Sequence, residues 1–153
     1  MKRALLVVAA LLLAACESPK AKRIEMEKDA VRARLQHFSE LMLAMDNAAI
    51  AAMFAPQGEF DSPSRTTKGP AAIEGLLDKF SDHKILACSY MATSTLIDGD
   101  ISEEIGTYSL RVREPTGHIL ESGGRLEVEW SRSPSGEWLI NQLETFPEPK
   151  KAP

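Results

Sequence analysis

Apolar side chains recur at helical spacing between Ile24 and Met45. Val31, Leu35, Phe38, Leu41 and Met42 share a side with the two end residues, while Glu27, Lys28, Arg32, Arg34 and Glu40 hold the other. The spacing predicts an amphipathic helix. Asp46 is placed to cap a second, shorter helix from Asn47 to Phe54, its carboxylate accepting amide protons that a first turn leaves unpaired. Pro56 and Gly58 end that helix. Glu59 to Ser62 reads as extended, Pro63 to Lys68 as a loop, and Gly69-Pro70 as the opening of a third helix carrying Ile73, Leu76, Leu77 and Phe80. Proline at a first helical position forfeits no needed hydrogen bond.

After Asp82 the period changes from helical to alternating. Lys84 to Ile97 and Ile101 to Arg113 predict two antiparallel strands joined at Asp98-Gly99-Asp100; His118 to Ser131 and Glu137 to Phe146 predict a second pair joined through Ser133-Pro134-Ser135-Gly136. Tyr108, Leu110 and Val112 share one face, as do Leu126, Val128 and Trp130, with Arg111, Arg125, Glu127 and Glu129 opposite. The last strand breaks the rule: Trp138, Ile140, Gln142, Glu144 and Phe146 alternate with Leu139, Asn141, Leu143 and Thr145, so neither face is wholly polar. Helices followed by long strands predict an α+β domain in which a bent, mainly antiparallel sheet wraps three helices.

The start of the chain follows neither period. MKRALLVVAALLLAAC has two basic residues before an apolar run from Ala4 to Ala15, too short to span a bilayer comfortably and shaped like a secretory signal. Leu13, Ala14, Ala15 and Cys16 resemble a bacterial lipobox. That resemblance implies residues 1–15 as signal peptide, acylation of Cys16, and, because Glu17 follows, an outer-membrane lipoprotein facing the periplasm and attached to the membrane through its lipid. Residues 16–23 read as a tether, 24–146 as the domain and 147–153 as a tail. With Cys16 acylated, Cys88 has no intramolecular disulfide partner and reads as a small buried hydrophobe. Without Lys2 and Arg3, 16 basic side chains face 22 acidic ones, a balance that gives no reason to expect nucleic acid.

FAPQGEFDSPS after the second helix, KGPAAIEGLLDKF as the third and GEWLINQLE opening the last strand resemble the NTF2-like superfamily, the cone fold that includes SnoaL-like proteins, ketosteroid isomerase and the polyketide cyclases. In the isomerases the base lies on the short strand after the second helix. Setting FAPQGEFDSP against FADDATVEDP puts Ser62 at the base position and Asp61 one residue earlier, which in a strand means the opposite face. Phe60 and Ser62 are therefore expected to approach the cavity while Asp61 points away. The resemblance also implies a pocket lined by Phe38, Met42, Phe60 and Ser62 on one side. Leu77, Tyr90, Tyr108 and Trp138 complete it, with Met42, Met45, Met53 and Met91 available to fill it.

Within such a pocket His37, Asp61, Tyr90 and Tyr108 are the ionisable candidates for acid/base work. His83, beside Asp82, and His118 read as solvated or partly packed. The three histidines lack metal-ligand spacing, and no nucleophile elbow, phosphate loop or dinucleotide fingerprint occurs, so neither metal nor cofactor is expected. Three functions fit: a non-catalytic envelope protein whose cone binds a small apolar or amphipathic molecule or whose sheet binds a protein; a pocket enzyme of isomerase, cyclase or dehydratase type; and a structural homodimer joined through its outer sheet face. The vacant base position favours the first.

Overall fold

The computed structural model describes residues 18–149. The signal segment, Cys16 and the end of the tail lie outside the described residues. Helix α1 spans Pro19–Ala44, with the Ser18 hydroxyl accepting from the Ala21 amide and Pro19 at its first position. Residues 19–23, expected as tether, are its first turns; the missing apolar periodicity there reflects a helix that is wet all round, not an unfolded one. Val31, Leu35, Phe38 and Met42 form its buried stripe. Met45 closes α1 in the left-handed conformation, and Asp46 accepts from the Ala49 amide to start α2, Asn47–Ala52.

Strands β1 (Phe54–Ser62) and β2 (Arg65–Lys68) form a hairpin before α3 (Pro70–Asp78). Four long strands follow: β3 (Lys84–Asp98), β4 (Ile101–Arg113), β5 (Ile119–Arg132) and β6 (Trp138–Pro147). They make one six-stranded sheet in the order β2-β1-β6-β5-β4-β3, antiparallel except where β1 runs parallel to β6. The architecture is the α+β cone, with three helices packed in a curved, mainly antiparallel sheet. The expected loop from Pro63 to Lys68 contains β2, whose single partner is β1.

The mixed faces of the last strand have a local cause. Trp130 lies opposite Ile140 whereas Glu129 lies opposite Gln142, so Asn141 is an extra residue that switches the alternation. Trp138 and Ile140 face the core before this bulge, Leu143 and Thr145 after it, and Gln142 and Glu144 go to the outer surface. Around this seam Trp130, Leu35, Phe38, Ile73, Leu126 and Leu143 fill the interior.

At the end of the cone nearest the start of α1, the core contains a carboxyl group. Glu104 is 1% exposed and accepts from the indole N–H of Trp130 at 3.0 Å and the Thr95 hydroxyl at 3.2 Å. Arg32 of α1 donates through Nε to the same Thr95 oxygen at 3.1 Å. Burial pushes the Glu104 carboxyl above the usual carboxylate range, against the pull of Trp130, Thr95 and the Arg32 charge. On the edge of β3, Ser39 of α1 accepts the Tyr90 backbone N–H at 2.9 Å, so the helix satisfies a sheet edge that no further strand covers among the described residues.

Candidate functional site

The opposite end of the cone stays open. Where α1 ends, α2 begins and the strands diverge, the helices and the inner sheet face enclose about 380 Å³. Met42, Met45, Ile50, Phe60 and Leu77 form the helical and β1 wall, and Ile85, Leu110 and Val112 the sheet wall. Methionine thus shapes the cavity without closing it. Tyr90 lies in its wall, 4% exposed, with its ring edge-on to Phe38 at 5.0 Å and stacked on Tyr108 at 5.8 Å. Burial pushes the Tyr90 phenol far up, so it is a neutral hydroxyl at any ordinary pH.

Four other polar side chains reach this cavity, each from the end of an element or the turn beside it: Asn47, His83, Glu114 and Ser122. His83 follows α3 in a turn held by its own N–H to the Phe80 carbonyl at 2.9 Å. Its Nδ1 is 2.7 Å from the Asp82 carboxylate and its ring meets Phe80 edge-on at 5.3 Å. In the neutral tautomer that turns its Nδ1–H to this carboxylate, Nε2 is left as a proton acceptor, an arrangement that orients an imidazole for general-base work. Glu114 stands across the mouth at the end of β4, with His118 Nδ1 at 3.1 Å from one carboxylate oxygen. Asn47 donates its amide to Asp78 at 2.8 Å, and Ser122 shares a 3.0 Å hydrogen bond with the Tyr108 hydroxyl.

Among the residues expected here, Met42, Phe60, Leu77 and Tyr90 line the cavity. Four others do not. Phe38 packs beneath it between Phe54 and Tyr90. Tyr108 sits one layer back, its hydroxyl engaged by Ser122. Ser62 has the expected parity with Phe60, but β1 has run past the cavity by that point; its hydroxyl turns to the Arg65 carbonyl at 3.2 Å in the hairpin. Trp138 lies at the other end of β6, under Arg132 at 4.3 Å and 3.4 Å from Glu27.

Of the remaining ionisable candidates, His37 is on the exposed face of α1, 3.4 Å from Glu40. Asp61 is outside the cavity lining: it lies opposite Glu144, accepts from Gln142 at 2.8 Å, and its other oxygen is buried with no partner among the described residues. Cys88 is half-buried and its thiol is pushed up to about 11 by burial, which keeps it inert. Arg111 pairs with Glu121 and Arg125 with Glu127, as a charged sheet face requires. The sequence had His83 as solvated or partly packed and marked none of Asn47, Glu114 and Ser122 for the pocket. The only local signal was the acid preceding a histidine at a helix-to-strand junction, since positions 47, 83, 114 and 122 share no spacing.

The class that these features define is structural: an α+β cone with an apolar cavity that has a few polar groups at its mouth. Residues 26–144 match the SnoaL-like domain, and the chain belongs to that family. Among curated proteins none matches. A conserved protein of Planctomyces limnophilus has a similar structure with a TM-score of 0.73 at 16% identity, covering 81% of this chain and 99% of that one. A ketosteroid isomerase-like protein of Erwinia carotovora atroseptica is similar at a TM-score of 0.68 and 14% identity, covering 87% and 100%. An NTF2-like protein with a cystatin-like fold from Novosphingobium aromaticivorans gives 0.64 at 20%, covering 82% and 84%. At these identities the likeness is one of fold.

Proposed function

We propose that the protein is a pocket enzyme that moves a proton on a small, largely apolar carbonyl compound, with His83 as the base. The observation that carries this reading is the Asp82-oriented imidazole at the mouth of an apolar cavity. Nε2 of His83 takes a proton from a carbon beside the carbonyl, and the electron pair passes into the new C=C bond as the carbonyl becomes an enolate. Tyr90, held protonated by burial, is the hydroxyl in the cavity wall suited to meet that oxygen. Returning the proton to a second carbon gives isomerisation; loss of a hydroxyl or attack on a second carbonyl gives the dehydratase or cyclase outcome. A ketosteroid isomerase-like protein among the similar folds is in keeping with this chemistry.

The test is deuterium uptake from D₂O into octan-2-one, followed by mass spectrometry. The protein is expected to accelerate exchange, and His83→Ala to lose about 10²–10⁴-fold of that rate while still binding the ketone. Equal exchange in the two proteins overturns the reading. The setting proposed is the bacterial envelope, with attachment through Cys16, and it rests on the lipobox-like LAAC sequence. Self-association through the outer sheet face, where Met91, Leu96 and Ile105 are exposed, is a further part of the proposal; a monomer at every concentration in solution-mass measurements would remove it.

A further inference from the structure

The polar groups around the cavity mouth are not a neutral mixture of donors and acceptors. Asn47 gives one amide N–H to Asp78 at 2.8 Å and keeps a second N–H and its carbonyl oxygen. His83 has Nδ1 engaged by Asp82 at 2.7 Å. Glu114 is engaged by His118 through Oε2. Ser122 is shared with the Tyr108 hydroxyl, and either oxygen can donate. Among the described residues Glu114 is the one carboxylate in the cavity lining.

Cations are turned away from the same opening. Among the described residues no lysine or arginine lines the cavity. Lys84 and Arg113 lie opposite each other in the register immediately beside the Ile85 and Val112 pair, whose side chains do line it. Strand alternation puts the two charges on the other face of the sheet. An anionic head at the mouth would meet the Glu114 carboxylate with no lysine or arginine in the described lining to offset it.

We propose that the molecule held here carries an uncharged or cationic polar head, an alcohol or a protonated amine, at the end that reaches the cavity mouth, and that carboxylates are rejected. This rests on the reading of the cavity as the ligand site and adds the polarity of its ligand. In the enzymatic reading the substrate is then a carbonyl compound whose carbonyl lies toward Tyr90 and whose hydroxyl or amine faces Asn47 and Glu114, leaving His83 to the proton transfer.

Isothermal titration at pH 8 with octan-1-ol, octylamine and octanoate tests it, because one chain length keeps the apolar contribution common. The alcohol and the amine are expected to bind at least about tenfold more tightly than octanoate. Glu114→Gln should weaken octylamine more than octan-1-ol, since the amide oxygen still accepts from a hydroxyl but no longer attracts an ammonium. Octanoate binding as tightly as the other two, or octylamine binding that ignores Glu114→Gln, overturns the proposal. Leu110→Trp, which fills the cavity, separates the two levels. If it abolishes equal binding of all three probes, the head preference fails and the cavity reading stands; if no probe binds, or binding survives it, both fail.

Discussion

Replacing Glu104 separates the cost of burying a carboxyl from the value of its hydrogen bonds. In Glu104→Gln the amide oxygen can keep the Trp130 N–H and the amide N–H can be received by Thr95, while nothing is left to ionise. In Glu104→Leu the Trp130 N–H, on a side chain with no exposed surface, loses its acceptor. One such orphaned donor costs about 1–3 kcal/mol, so the leucine variant is expected to be less stable than the glutamine variant by that amount at every pH. The wild type differs in slope. Its folded-state pKa is raised, so the stability this group contributes is fully present below the unfolded value and is lost as pH rises through the folded one. Each unit of that elevation is worth about 1.4 kcal/mol, and the glutamine variant is therefore expected to gain on the wild type between acid and neutral pH. Urea unfolding of the three proteins at pH 4, 6 and 8 measures both effects. Leucine and glutamine variants of equal stability, or a wild type that gains on glutamine with rising pH, would refute the reasoning.

Ser39→Ala should cost about 1–3 kcal/mol, because the Tyr90 N–H on the edge of β3 loses its acceptor under α1; faster hydrogen exchange at the Tyr90 amide locates the effect, and unchanged exchange argues against it. Asp61→Ala should leave octan-1-ol affinity within about twofold, since distant sites act independently, whereas a collapse of binding would bring that carboxylate into the site. The membrane-extracted protein should have an intact mass matching a chain that begins at an acylated Cys16; an unmodified chain starting there defeats the lipid anchor.

The major elements were legible because burial imposes periods. The stripe from Val31 to Met42 and the alternation from Ser102 to Val112 each face one surface along their whole length. What escaped did so for local reasons. β2 is four polar-rich residues held by one neighbour, so its hydrogen bonds, not its side chains, make it a strand. The last strand defied alternation until the bulge at Asn141 accounted for it. The cavity walls Met42, Leu77 and Tyr90 were readable as apolar faces. The mouth was not, because its four polar groups come from four different elements or turns and meet only through the closure of the cone.

That closure has a consequence for how the chain acquires its shape. The β1–β2 hairpin joins the sheet through β6 alone, the last of the described strands in chain order. Contacts between such distant residues form late and slowly. Until Leu143 is available to sit beside Phe60, one wall of the cavity has no sheet behind it, so the pocket is among the last features to exist. A nascent chain stopped short of β6 would expose the apolar side of the hairpin and its unpaired edge together, which makes the closing strand a checkpoint between a folded cone and an aggregating intermediate.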